Sequence, residues 1–250
     1  MDERQFKRRG IWLIVIVLAP LAYLLLLHAP IPQDKGYHIF ADLRTCLGIQ
    51  NFGNVASNLA FLLVGVIGAW WCLRNLRTGA RLSWTIFFVG VALVFVGSGY
   101  YHATPNDDTL VWDRLPMTIA FMGLFAALVS EHLGAQYERP VLIPALIIGV
   151  ASVFWWRTTD DLRVYIWVQG APLLAIPFIL AMFKGRYSHR GYLLYGLAFY
   201  AAAKVAEYFD AGAYALTSQL VSGHSIKHLL AAMAPLFLLL MLRRRRDMPA

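Results

Sequence analysis

Long apolar runs separated by short polar segments are the feature that most constrains how this chain folds. A helix that crosses a bilayer needs about 17–25 mostly apolar residues. Eight runs of about this length lie near residues 11–29, 54–74, 83–103, 115–134, 141–156, 164–183, 191–209 and 225–242. The hydrophobic share of 59% exceeds the need of a soluble core, and no run alternates as a barrel strand does. The sequence predicts an all-α, polytopic membrane helix bundle with a seven-helix core and one extra N-terminal transmembrane helix.

Basic residues are distributed unevenly among the segments that connect these runs. Of the 22 Lys and Arg residues, 15 lie at both ends and in alternate connections, at residues 4–9, 74–81, 139, 184–190 and 243–246. The positive-inside rule places these segments, and therefore both termini, in the cytoplasm. Several acidic residues lie in the connections on the opposite side, at Asp34, Asp42, Asp107, Asp108, Asp160 and Asp161. The net charge of +8 thus requires no nucleic-acid partner.

The N-terminal part fits either a retained anchor or a secretory signal, because a basic stretch precedes the apolar residues 11–27. We expect a retained helix, since the run is longer than most signal cores and His28-Ala29-Pro30 is a poor cleavage site. The expected organisation is a basic N-terminus with the extra helix, an outer segment, the seven-helix core and a basic cytoplasmic tail, at residues 1–30, 31–53, 54–242 and 243–250. Cys46 and Cys72 fall at opposite membrane depths, which excludes a disulfide between them.

Three histidines are predicted to meet near the outer face. His224 and His228 are four residues apart, so on a helix they lie on one face, one turn from each other. His102 ends another apolar run, in Ser98-Gly99-Tyr100-Tyr101-His102, and Asp113 follows after a short connection. Three histidines suit a zinc site with a fourth position open to water. The alternative is a hydrogen-bonded polar cluster that locks helices together.

Polar residues around this group permit several roles. Asn51, Asn54 and Asn58 share one helical face, where they either cap the helix and bond its neighbours or form a polar layer or cation site beneath the histidines. Lys204 and Glu207 fit an intrahelical ion pair. Asp210 or Glu207 is alternatively placed to orient a ligand histidine through its ring N–H. We interpret the other histidines as interfacial or too distant to join: His28, His38, His132 and His189.

The combined motifs resemble the alkaline ceramidase family. They are Asn54-x-x-Ser57-Asn58, Ser98-x-x-x-His102, Asp113 eleven residues later, and His224-x-x-x-His228. The resemblance covers residues 51–242 and points to a bacterial-type member of a superfamily of seven-helix membrane hydrolases that includes the adiponectin receptors. It implies that the three histidines bind Zn²⁺ and that Ser98 and Asp113 act beside the metal in hydrolysis of the ceramide amide.

The implied reaction releases a free fatty acid and a sphingoid-like amine from a membrane lipid. In it Asp113 carries a proton from water to the leaving amine, while Ser98, with Tyr101, donates to the developing oxyanion. The alternative is a zinc-containing receptor, sensor or structural membrane protein without turnover. A transporter is expected to show inverted repeats, and we find no repeat in the sequence.

The chain departs from the family pattern at one site. Eukaryotic members carry an acidic N-terminal calcium site, with a Glu three residues before the first asparagine of the motif. This chain has Asn51 there, and the upstream acids are reduced to Asp42 with Arg44 beside it. The sequence therefore predicts Zn²⁺ and leaves Ca²⁺ binding open.

Overall fold

The computed structural model describes residues 2–77 and 79–248, and within them the regular structure is helical. Its α-helices, in chain order, are α1 (Glu3–Leu27), α2 (Phe52–Ser57), α3 (Leu59–Asn75), α4 (Arg81–Ala103), α5 (Asp107–Leu133), α6 (Glu138–Thr159), α7 (Arg163–Met182), α8 (Tyr192–Tyr208), α9 (Asp210–Leu216) and α10 (Gly223–Arg244). In these residues seven helical spans are long and apolar enough to cross a membrane. The predicted all-α polytopic bundle is confirmed. The outermost residues of the predicted N-terminal region and tail, 1 and 249–250, lie outside the described residues.

The seventh predicted span, at 191–209, is helix α8, which is not among the seven spans just counted. With 17 residues it is about 26 Å long at 1.5 Å per residue, and it packs along α10. Helix α1 packs against α7 at the edge of the bundle, where the Trp167 indole donates a 2.7 Å hydrogen bond to the Val17 carbonyl. A core of α3, α4, α5, α6, α7, α8 and α10 thus carries one additional N-terminal helix.

Helix α5 begins eight residues earlier than predicted, at Asp107. The reason is a capping box: the Asn106 side chain accepts from the Thr109 backbone N–H at 2.9 Å, and the Thr109 hydroxyl accepts from the Asn106 N–H at 3.2 Å. Asp113 therefore lies almost two turns inside the helix. The prediction that Asp113 lies at the start of this helix, directly after a short connection, is wrong.

Helices α4 and α5 cross very closely beneath the histidines. A Cβ atom added at Gly97 would lie 2.0 Å from the Trp112 carbonyl oxygen, and one at Gly90 would lie 2.6 Å from the Ala120 nitrogen. Glycine is required at both positions because no side chain fits between the two backbones. The close crossing brings the outer half of α4, with Ser98, against the first turns of α5, with Asp113.

The segment from residue 28 to residue 51 crosses the histidine end of the bundle with little regular structure. It is fastened to the α6–α7 connection, where the Leu162 N–H donates to the Ile31 carbonyl at 2.8 Å and the Arg163 guanidinium donates to the His28 carbonyl at 2.7 Å. Arg163 also pairs with Asp161 at 2.7 Å, and its hydrogen bonds lower the pKa of Asp161 to about 2. This connection holds the segment over the core.

The opposite end of the bundle gathers the basic connections. The Tyr187–Asp247 bridge joins the α7–α8 connection to the C-terminal segment, Arg9 donates to the Met182 carbonyl, and the Arg245–Glu131 ion pair is buried. The predicted inner connections therefore share one end of the molecule, and the histidines lie at the other.

Candidate metal centre

The three predicted ligand histidines meet in the structure. His102 lies in the last turn of α4, and His224 and His228 lie in the first turns of α10. Their ligand atoms are all within 4.8 Å of one another, and each side chain is at most 5% exposed. Helix α10 starts beside them because the Ser222 hydroxyl accepts from the Ser225 N–H at 3.0 Å.

Two observations make this cluster compatible with a bound metal ion such as zinc. The Nε2 atoms of His102 and His224 are 3.2 Å apart, close to the separation of about 3.4 Å that two ligands have on a tetrahedral zinc. The Nδ1 atom of His228 lies 2.8 Å from the Ser57 hydroxyl, which leaves its Nε2 for a metal and supplies the outer contact that ligand histidines usually have. The Nδ1 atom of His102 is buried and has no hydrogen-bond partner within residues 2–77 and 79–248.

Asp210 is placed differently from the prediction that it orients a histidine ring. Its carboxylate accepts from the backbone N–H of His224 at 2.7 Å and from that of Ala41 at 2.9 Å. It therefore positions His224 through the backbone, and it joins the start of α10 to the outer segment.

Glu207 also makes no contact with a ligand ring in the described structure. It pairs with Lys204, as predicted, and with Lys227 at 2.7 Å. The Lys227 ammonium lies 3.2 Å from the Nε2 atom of His224. Glu207 thus reaches the cluster only through Lys227.

The three asparagines are buried beneath the histidines, and two of them bond to a neighbouring helix. The Asn51 amide donates to the His102 carbonyl at 2.8 Å, and the Asn54 amide oxygen accepts from the Ser222 and Ser225 hydroxyls at 3.1 and 3.0 Å. Asn58 donates to the carbonyl of Asn54 at 2.8 Å, where α2 gives way to α3. Asn51 makes no capping bond with its side chain. The interhelical role is present for Asn51 and Asn54.

The residues at the family's calcium position do not fit a calcium ion. Asp42 accepts two hydrogen bonds from the Arg44 guanidinium, at 2.8 and 2.6 Å, and these bonds lower the pKa of its carboxyl. Arg44 also donates to the Leu220 carbonyl at 2.8 Å. Because calcium takes about six to eight oxygen ligands, one carboxylate already bound by a guanidinium is insufficient.

Ser98 and Asp113 lie side by side on the wall of a cavity of about 290 Å³. Both are buried. The cavity meets the metal centre at His228 and continues inward among apolar side chains to Phe87 and Leu238. Ser98 and Phe87 are eleven residues apart on α4, or about 16 Å along its axis. One polar end and a long apolar interior suit a lipid chain whose reactive group lies at the histidines.

Tyr101 points away from this cavity. Its hydroxyl lies 3.0 Å from the Nδ1 atom of His38 and donates to the Tyr37 carbonyl at 3.3 Å, and Tyr101 is not among the residues that line the cavity. We therefore leave it out of the catalytic groups. The other nitrogen of His38 lies 3.0 Å from the Asp107 carboxylate, so this histidine joins the outer segment to α4 and α5.

Phe40 was not expected at the site. Its ring centroid is 4.8 Å from those of both His102 and His224, so the outer segment covers the cluster with an aromatic ring. Nothing in the local sequence marks this contact, because it joins residues far apart in the chain.

These features define a class: an integral, multi-pass α-helical membrane protein with a buried three-histidine centre that opens into an apolar cavity. The ceramidase family profile matches residues 45–188, more than half of the chain. The protein belongs to the ceramidase family, which confirms the resemblance found in its motifs. The matched range contains Ser98, His102 and Asp113, and His224 and His228 lie beyond it. A search of curated proteins found no match.

Proposed function

We propose that this protein is a zinc-dependent amidohydrolase that cleaves a ceramide-like lipid within the membrane, releasing a free fatty acid and an amine base. The observation that carries the proposal is the meeting of three histidines with Ser98 and Asp113 at the polar end of an apolar cavity. Membership of the ceramidase family supports the same chemistry.

His102, His224 and His228 would hold the metal. When bound, zinc polarises the amide carbonyl and makes a nearby water more acidic. Burial of the three side chains keeps bulk water from the histidines, and the contact between Ser57 and His228 fixes the orientation of that ring.

Asp113 and Ser98 supply the proton and the hydrogen bond that hydrolysis needs. Asp113 takes a proton from water as the oxygen of that water attacks the carbonyl carbon, and the Ser98 hydroxyl donates to the carbonyl oxygen as it gains charge. Asp113 then gives the proton to the amide nitrogen as the C–N bond breaks. The new C–O bond stays with the fatty acid, and the proton leaves with the amine.

The apolar interior of the cavity receives the acyl chain. Because this chain arrives from the bilayer and not from water, its transfer gains little hydrophobic free energy. Discrimination between acyl chains therefore rests on the fit to the cavity, between Phe87 on α4 and Leu238 on α10.

The test is to measure bound zinc by mass spectrometry and fatty-acid release from a panel of lipid amides and esters, with purified protein in nanodiscs. We expect about one zinc per chain and amide hydrolysis, and we expect His224→Ala and His228→Ala to lose most of both, because two ligands hold zinc poorly. His28→Ala, which alters an exposed histidine, is the matched control.

Three results separate the possibilities. Full zinc content in both variants would show that the ligand assignment is wrong. Zinc bound without turnover of any lipid favours the receptor or structural alternative. Hydrolysis of esters alone would support the assignment of the active site but show that the substrate is an ester and not an amide.

A further inference from the structure

Arg114, the residue after Asp113, is a buried cation on the cavity wall. It lies on α5 with 5% of its surface exposed, and it lines the cavity together with Ser98, Asp113 and His228. A guanidinium beside a catalytic centre inside a membrane bundle is costly to bury, and such residues usually have a function.

Aromatic rings hold the guanidinium in a fixed orientation. Its central carbon lies 3.9 Å from the ring centroid of Trp156 on α6, 4.6 Å from that of Tyr165 on α7 and 6.0 Å from that of Tyr37 on the outer segment. Stacking of this kind offsets part of the cost of burying the charge. It also presents the edge of the guanidinium, where the N–H donors are, in a defined direction.

The donors of Arg114 are only partly used. One terminal nitrogen donates to the Gln33 side-chain oxygen at 2.6 Å, and the other is buried without a hydrogen-bond partner among the described residues. In the part of the chain that the structure describes, no carboxylate lies within ion-pair distance of Arg114. Buried polar atoms left in this way are rare in folded proteins and call for an explanation.

The other cations on the cavity wall differ from Arg114. Lys204 and Lys227 share one ion-pair partner, the Glu207 carboxylate. Arg114 differs from both lysines, because no carboxylate lies within ion-pair distance of it among the described residues. Arginine presents paired N–H groups that match the two oxygens of a carboxylate or phosphate.

We infer that Arg114 binds an anionic group, a carboxylate or a phosphate, in the polar part of the lipid amide. The inference rests on the proposed function for the identity of the substrate as a lipid amide. The cavity meets the metal centre at His228, and its apolar interior receives the acyl chain. An oxyanion bound at Arg114, beside the metal centre, therefore belongs to the amine part of the lipid, next to the bond that breaks. The preferred substrates are then acidic amides, such as N-acyl amino acids or phosphorylated ceramides.

The test compares substrates that differ only in charge. N-palmitoylglycine is set against N-palmitoylethanolamine, and ceramide 1-phosphate against ceramide, with zinc-loaded protein in neutral nanodiscs. We expect kcat/KM to favour the acidic member of at least one pair by about 10- to 100-fold, the range for hydrogen bonds to a charged group. The pair that shows the preference tells whether the anion is a carboxylate or a phosphate.

Arg114→Gln should bring that ratio close to one, mainly through KM of the acidic lipid. A purely structural role for Arg114 would lower kcat/KM for both members alike and leave the ratio unchanged. Arg157→Gln is the matched control, because Arg157 lies on α6 at the same end of the bundle but pairs with Asp108 at the surface. No preference in the wild-type protein, or an unchanged ratio in Arg114→Gln, overturns the inference.

A binding measurement separates this inference from the proposed function. Zinc-free wild-type protein should show a saturable rise in Tm with hexadecyl phosphate or palmitate and none with hexadecanol, and Arg114→Lys should bind the anion more weakly. Absence of that rise in the wild-type protein overturns the anion site even if Arg114→Gln fails to fold. Specific binding without hydrolysis of any lipid retains the anion site and overturns the hydrolase.

Discussion

Asp113 occupies a position where a carboxylate has no role in capping its helix. The Asn106 side chain caps α5 by accepting from the N–H groups of Asp108 and Thr109, and Asp113 lies in the helix interior on the cavity wall. A carboxylate there is costly to bury, and the groups that act on it include the Lys227 ammonium, the Ser98 hydroxyl and the Arg114 guanidinium. Its position favours proton transfer over a structural role.

Replacement of Asp113 by Asn tests this role directly. The amide keeps the shape of the side chain but cannot accept a proton, so we expect Asp113→Asn to fold, to bind zinc and to hydrolyse lipid amide about 100-fold more slowly or worse. Asp108→Asn is the control, because Asp108 lies on the first turn of the same helix and pairs with Arg157 at the surface. Near-normal turnover in a folded, zinc-loaded Asp113→Asn protein would remove Asp113 from the mechanism.

The histidines were predictable and several of their neighbours were not. Spacing by four residues places His224 and His228 on one face, and topology places His102 at the same depth, so local sequence and bilayer geometry suffice. Phe40 contacts the cluster from a segment that is distant in the chain, and the spacing of residues along one helix cannot predict such a contact. Arg114 lies one residue before the predicted run 115–134, so its place inside a membrane helix follows only from the start of α5 at Asp107.

At the scale of elements, an arginine holds the outer segment in place. Arg44 binds the buried Asp42 carboxylate and the Leu220 carbonyl, and so joins this segment to the connection before α10. The Tyr214 hydroxyl also reaches Asp42, at 3.4 Å. A side chain of the protein thus makes the link between the two segments.

We therefore predict that the protein is independent of calcium. Metal analysis of protein purified with calcium should find no stoichiometric calcium, and added CaCl2 should change neither Tm nor lipid hydrolysis. Arg44→Gln should lower the free energy of unfolding by about 1–3 kcal/mol, because it leaves a buried carboxylate with unmade hydrogen bonds.

Arg186→Gln is the matched control for this loss, since Arg186 lies at the other end of the bundle in an exposed pair with Asp247. One bound calcium per chain, with a saturable rise in Tm, would contradict the prediction.

The pKa of Asp42 is lowered in the folded state. Its contribution to stability is therefore complete above about pH 4 and is lost as the pH falls through the lowered pKa.

The helices themselves were predictable because the thickness of a bilayer sets their length. The ends of the helices depend on single capping residues, and the predicted first residues of α1 and α5 are wrong because the capping residues before them were not identified. Asn106 starts α5 eight residues early, and Asp2 caps α1 so that this helix begins at Glu3. The break at Asn58 between α2 and α3 lies within an apolar run that reads as one helix.

At the scale of the whole molecule, charge divides the bundle into two ends. Basic residues gather in the connections at one end, and the histidine cluster lies at the other under the outer segment. The positive-inside rule assigns the basic end to the cytoplasm. Under that orientation both termini are cytoplasmic, and the metal centre faces the periplasm or a lumen.

The two cysteines allow this orientation to be tested with few changes to the chain. Cys46 is exposed on the outer segment and Cys72 is buried, so an impermeant maleimide added to right-side-out membrane vesicles should label wild-type protein at Cys46 and leave Cys46→Ser unlabelled. Lys184→Cys, made in the Cys46→Ser protein, adds a thiol at an exposed position of the basic end. It should react only after the vesicles are permeabilised. If Lys184→Cys is labelled in sealed vesicles and Cys46 is protected, the bundle has the reverse orientation and the fatty acid and amine are released on the cytoplasmic side.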